Sequence, residues 1–155
     1  MGRAEESITI GRSAEDVFAY VTDPANDTIW RSGVVESELL GGAEPKVGSR
    51  LRTVQRFVGK RIETVSEVTQ WDPPNRAAVR ALKGPFAFDA EYRFEPENGA
   101  CRMTAVAEIG GFGGFFGKLA DPIVLRMGVR QLRADLENLK EILESSVEGE
   151  LQAQS

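Results

Sequence analysis

Phe86-Ala-Phe-Asp-Ala-Glu-Tyr-Arg-Phe-Glu95 decides the fold class. Phe86, Phe88, Ala90, Tyr92 and Phe94 alternate with Ala87, Asp89, Glu91, Arg93 and Glu95. A period of two is that of a strand with one buried face, here aromatic, and one mostly charged face in water. Downstream, Pro96-Glu-Asn-Gly99 supplies a hairpin turn, and Cys101 to Ile109 returns with Met103, Ala105, Ala107 and Ile109 inward. Upstream, Lys83-Gly-Pro85 turns the chain and Ala77 to Leu82 forms a strand. Asp72-Pro-Pro-Asn75 ends an earlier strand from Ile62 to Trp71, which Gly59-Lys60 joins to a strand over 48–58. In that strand Leu51, Thr53, Gln55 and Phe57 share a face. Val34 to Leu40 precedes it.

The ends of the chain have a different pattern. Leu125, Val129, Leu132, Leu136, Leu139 and Leu143 recur at steps of four and three, which predicts one apolar stripe along a long helix. Pro122 suits its first turn, and Arg133 and Glu137 are spaced to pair. At the other end, Ser7 to Ile10 reads as a short strand. Ser13 is a good cap for a helix carrying Val17, Phe18 and Val21, and Ala25 to Trp30 predicts one further turn after Asp23-Pro24. The class is α+β, with a single domain over residues 1–145 and a polar, acidic tail over 146–155 expected to fray.

An apolar sheet face must be covered, and the long helix supplies the complementary stripe. A twisted sheet curls around such a helix, and small inward residues such as Ala90, Ala105, Ala107 and Gly128 leave space between them. Gly110-Gly-Phe-Gly-Gly-Phe-Phe-Gly117 holds five glycines and three phenylalanines directly before the helix. Glycine frees the backbone and phenylalanine seeks apolar surface, so the segment reads as a gate over an apolar cavity, or as a tight turn completing the core. The expected cavity residues are Phe57, Phe86, Phe88, Tyr92, Phe112, Phe115 and Phe116, with Trp30 near the mouth.

Composition excludes several chemistries. There is no histidine, which removes Ser-His-Asp and Cys-His systems and every histidine-based metal site. A single cysteine, Cys101, excludes an intrachain disulfide and a thiolate metal site, and reads as a small core residue. No phosphate-cradling glycine motif occurs, and no cofactor is expected. The net charge of −5 argues against nucleic acid as a partner. No apolar run reaches the roughly 18 residues of a membrane span. The first residues lack an apolar signal-peptide stretch, so the expected location is cytoplasmic.

Several segments resemble the START-like superfamily, in its polyketide cyclase/dehydrase and lipid-transport branch (SRPBCC). They are Ile10-Gly-Arg-Ser-Ala-Glu-Asp-Val-Phe18 with Val21-Thr-Asp-Pro24 and Trp30, Val47-Gly-Ser49, and Glu67-Val-Thr-Gln-Trp-Asp-Pro-Pro74. Tyr92-Arg-Phe-Glu-Pro96, Asn98-Gly-Ala-Cys-Arg-Met-Thr104 and Leu136-Glu-Asn-Leu-Lys-Glu-Ile-Leu-Glu144 complete the set. The resemblance implies a helix-grip fold: a seven-stranded antiparallel sheet wrapped around a long C-terminal helix, with two short helices after the first strand. It also implies binding of lipids, polyketides or other apolar molecules, and catalysis in only some members.

Two kinds of activity follow. One is binding, transport or sequestration of a small hydrophobic or aromatic ligand. The other is a polyketide aromatase/cyclase or dehydratase using the same cavity. For catalysis the candidates are Tyr92 as a proton donor and Arg56 as an anchor. The strand period forbids Arg56 and Phe57 from both facing inward. Glu63 or Glu67 would serve as a base only if buried, and Arg52, Arg61 and Arg80 read as an outer sheet face. A protein-interaction module with a filled interior is a third reading. Oligomeric state is open, a homodimer included.

Overall fold

Alternation becomes strand throughout. The computed structural model describes residues 2–41, 44–57, 59–85, 87–110 and 122–154. Along the chain run β1 (Gly2–Ile10), α1 (Ala14–Val21), a 3-10 turn (Pro24–Asn26), α2 (Asp27–Trp30), β2 (Val34–Leu40), β3 (Arg50–Phe57) and β4 (Lys60–Asp72). After them come β5 (Arg76–Lys83), β6 (Ala87–Glu97), β7 (Ala100–Gly110) and α3 (Pro122–Gln154). The seven strands form one sheet in the order β1-β7-β6-β5-β4-β3-β2, each neighbouring pair antiparallel. This is the helix-grip architecture, with the sheet closed over by α3 and the short helices after β1.

Local chemistry sets the turns. Asn98 and Gly99 alone join β6 to β7, both at positive φ (51° and 82°). That is the left-handed geometry a two-residue hairpin turn requires. Ser13 Oγ accepts from the Asp16 N–H at 3.1 Å and caps α1. Asp23 caps the 3-10 turn by accepting from the Ala25 N–H at 3.0 Å.

Four expectations need correction. β1 starts at Gly2 rather than Ser7, because β7 is long enough to pair with it from Gly2↔Ile109 to Ile10↔Cys101. Lys60 is a strand residue rather than part of the hairpin turn after β3, since it already pairs with Phe57. Helix α3 continues through the polar tail to Gln154, in a stretch with no proline to stop it. Arg133 reaches across to Glu6 on β1 at 2.8 Å instead of along the helix to Glu137, which ties α3 to the sheet edge.

The core sits at one end of the grip. Ile10, Val17, Phe18, Phe94, Cys101, Met103, Leu136, Leu139 and Leu143 are buried together. Phe18 of α1 meets Phe94 edge-on at 5.2 Å between ring centroids and Trp71 at 5.1 Å. Here α1 forms a third layer that closes the space between sheet and helix.

Candidate ligand-binding site

The same elements diverge at the other end. On β6, Phe94 is buried while Phe88, Ala90 and Tyr92 are half-buried. On β7, Met103 is buried while Ala107 and Ile109 are half-buried. On α3, Leu136 and Leu139 are buried while Leu125, Val129 and Leu132 are half-buried. A cavity of about 280 Å³ lies among them, lined by Phe57, Phe88, Ala107, Leu125, Val129 and Leu132. Gly128 faces it from α3, where a Cβ would stand 3.8 Å from Phe57 Cζ. A second cavity of about 150 Å³ lies towards β3–β5, lined by Leu39, Leu51, Ser66, Val68 and Trp71. Arg31, Phe88, Ala90 and Tyr92 line both.

The expected site residues divide. Trp30, Phe57, Phe88 and Tyr92 converge on the larger cavity. Trp30 lies deeper than expected: it is 1% exposed, packed in the core rather than set at a mouth. Its ring stands 6.1 Å from that of Tyr92. Phe86, Phe112, Phe115 and Phe116 lie outside the described residues, as does the gate segment beyond Gly110.

Arg56 is exposed, because the period that turns Phe57 onto the cavity turns its neighbour to the outer face. Its backbone N–H donates to the Gly33 carbonyl at 2.8 Å. Arg52, Arg61 and Arg80 also lie on the outer face, where Arg52 meets Glu63 at 3.0 Å and Arg80 meets Asp89 at 3.2 Å. Glu63 is exposed within that network, so it lacks the burial that work as a base would need. Such solvated pairs add little to stability, because water screens them and two long side chains must be held still. Cys101 is fully buried, and burial pushes its thiol up to about 11.

The polar residues of the site escaped the sequence reading. Arg31 follows the short helix α2, is half-buried, and stands with its Cζ 6.0 Å from the Trp30 ring centroid. Burial opposes its charge but is outweighed by the Tyr92 phenolate, which exists only at the high pH where arginine titrates, and by Asp27 and Asp135, so its pKa is raised. Burial also raises the Tyr92 pKa, against the opposing pull of Arg31, so the phenol keeps its proton at neutral pH. Asp135 of α3 is buried and takes three donors on Oδ1: the Ser32 N–H at 3.2 Å, the Ser32 hydroxyl at 3.1 Å and the Gln131 amide at 2.8 Å. This clasp fixes the loop after α2 against α3. Asp27 accepts from the Ser37 hydroxyl at 2.6 Å. Desolvation nonetheless leaves the Asp27 pKa raised. The one signal in the sequence was adjacency: Arg31 follows Trp30, which was already a site candidate.

Among the described residues no helix is long and apolar enough to cross a membrane, and no group of three His, Cys, Asp or Glu residues could hold a metal ion.

An internal cavity between a curled sheet and a gripping helix defines the class of helix-grip proteins. Residues 1–144 match the family described as polyketide cyclase / dehydrase and lipid transport, and the chain belongs to that family. Solved structures share the fold. TTHA0849 from Thermus thermophilus superposes with a TM-score of 0.80 at 20% identity, covering 94% of this chain and 99% of that one. The Zhui aromatase/cyclase from Streptomyces sp. R1128 gives 0.76 at 19% identity, covering 94% and 95%. A START superfamily protein from Mycobacterium smegmatis gives 0.74 at 13% identity, covering 92% and 97%. No curated protein matches the sequence.

Proposed function

We propose that this protein binds a small hydrophobic or aromatic molecule in the cavity under the N-terminal half of α3. One observation carries the reading. A single helix stripe is buried at one end and faces an apolar cavity of about 280 Å³ at the other. That volume is near the lower edge of ordinary ligand pockets, about 300–1,000 Å³, and suits a bicyclic aromatic or a short acyl chain. Burial of apolar surface drives such binding at about 25 cal/mol per Å². Transport or sequestration needs no more than this. N-phenyl-1-naphthylamine, an uncharged fluorescent probe, should give saturable one-to-one enhancement that 2-ethylnaphthalene reverses. A response that never saturates would overturn the reading.

A polyketide aromatase/cyclase or dehydratase working in the same cavity is the second reading. It is favoured by Tyr92, a protonated phenol beside the Arg31 cation, both lining the cavity. Such a pair can donate a proton to, or hold, an oxygen that gains charge. Tyr92→Phe should then abolish conversion of a poly-β-ketone substrate while leaving probe affinity unchanged. Equal turnover by the variant would remove Tyr92 from that role.

A further inference from the structure

The larger cavity is apolar beneath Leu125, Gly128, Val129 and Leu132 and polar where Trp30, Arg31, Tyr92, Gln131 and Asp135 line it. Among the described residues, three of these side chains carry donors that meet no acceptor. The Arg31 guanidinium carries five N–H donors, and among the described residues it makes no hydrogen bond and has no carboxylate within ion-pair distance. The Trp30 indole Nε1 is buried with no hydrogen-bond partner among the described residues. The Tyr92 hydroxyl likewise has none, and its ring adjoins that of Trp30. A buried donor without an acceptor costs about 1–3 kcal/mol. Among the described residues the indole is the one fully buried side-chain donor left without a partner, and together with the Arg31 and Tyr92 donors on the same cavity it favours an occupant that brings acceptors.

The single Arg31 charge is already offset by two carboxylates. Asp27 and Asp135 both act on Arg31 and Tyr92 through space, with one oxygen of each engaged: Asp27 Oδ2 by Ser37, and Asp135 Oδ1 by Ser32 and Gln131. A ligand carboxylate would gain Arg31 but face two carboxylates in a poorly screened interior. A hydroxyl would bring a further donor to a place crowded with donors. A carbonyl oxygen brings two lone pairs, no charge and no donor.

We infer that Arg31, Tyr92 and Trp30 form a head-group subsite for an uncharged carbonyl oxygen, so that the ligand is an apolar ketone, aldehyde or ester whose body fills the space beneath Leu125, Val129 and Leu132. The inference rests on the binding function proposed above and narrows its ligand class.

A matched series on one apolar body tests it: 2-acetylnaphthalene, 2-ethylnaphthalene, 1-(2-naphthyl)ethanol and 2-naphthoic acid, each displacing N-phenyl-1-naphthylamine. The ketone should bind about tenfold tighter than the hydrocarbon, with the alcohol and the acid both weaker than the ketone. Arg31→Met keeps the length of the side chain and should bring the ketone within about threefold of the hydrocarbon measured on the same variant. Tyr92→Phe, which retains the packed ring, should lower the ketone-to-hydrocarbon affinity ratio by about two- to fivefold. Equal binding of ketone and hydrocarbon to the unmodified protein overturns the subsite and leaves the apolar cavity standing. So does tightest binding of the acid, or a ketone preference that survives in both variants. Failure of all four compounds and of the probe overturns the cavity reading itself, and the subsite with it.

Discussion

Two ends of one grip behave differently although they are made of the same three elements. At the packed end, Leu139, Met103 and Phe94 are essentially inaccessible. At the cavity end, Val129, Ala107 and Tyr92 stand on the same faces of the same helix and strands and keep part of their surface. The difference is α1. Its Val17 and Phe18 fill the wedge between sheet and helix at one end, and α1 does not extend to the other. Periodicity therefore decides which face is apolar, whereas the presence of a third layer decides whether that face becomes core or cavity. The packed end holds the fold together. The cavity end is free to hold something else.

The sharpest way to break this comparison is to truncate the same stripe at both ends. Leu139→Ala should lower the unfolding free energy by about 2–5 kcal/mol, because the site is fully packed and cannot collapse. Val129→Ala, over the cavity, should cost less than about 1 kcal/mol. Urea denaturation of the two variants gives the contrast directly, and equal losses would erase it. Asp135→Ala should have an intermediate effect of about 1–3 kcal/mol, since it strips the Ser32 N–H and hydroxyl and the Gln131 amide of their common acceptor. Thermal unfolding measures that loss.

The smallest effect is a pH effect at the packed end. The Glu144 carboxylate accepts from Lys140 Nζ at 2.5 Å and from the Gly11 N–H at 2.9 Å, which holds its pKa below the ordinary 4.5. A lowered folded-state pKa contributes stability that is present above 4.5 and lost as pH falls through the folded value. The pair is partly exposed, so the contribution is about 0.2–1 kcal/mol. Glu144→Gln should lower stability by that amount at neutral pH and by progressively less below pH 4.5, as acid-to-neutral urea titrations would register.

The fold was legible where residues obey a period. Phe88 to Phe94 marked a strand with its buried face, and Leu125 to Leu143 marked the gripping helix and the side it presents. Period carries direction but no depth, so the stripe reads as uniform although α1 closes only one end of it. The apolar lining obeys the same signal: Phe57 and Phe88 lie where alternation puts them, and because the period admits only one of Arg56 and Phe57 inward, Arg56 faces out. The polar half was not legible. Arg31 sits after a helix of one turn, where no period applies, and only the curl of the sheet brings it beside Tyr92. Asp135 occupies a helix position next to Leu136 that reads as solvent-facing until the loop after α2 is folded over it.

The affinity of Gly128→Leu for N-phenyl-1-naphthylamine tests the division between the two ends most directly. Gly128 has open cavity before it, with the nearest side-chain atom 3.8 Å from a built Cβ. Leucine is the better helix former by roughly 1 kcal/mol, so the fold should be no less stable. Its side chain should occupy the ligand's space and weaken the probe by at least about tenfold. Unchanged affinity in a folded variant would contradict the account.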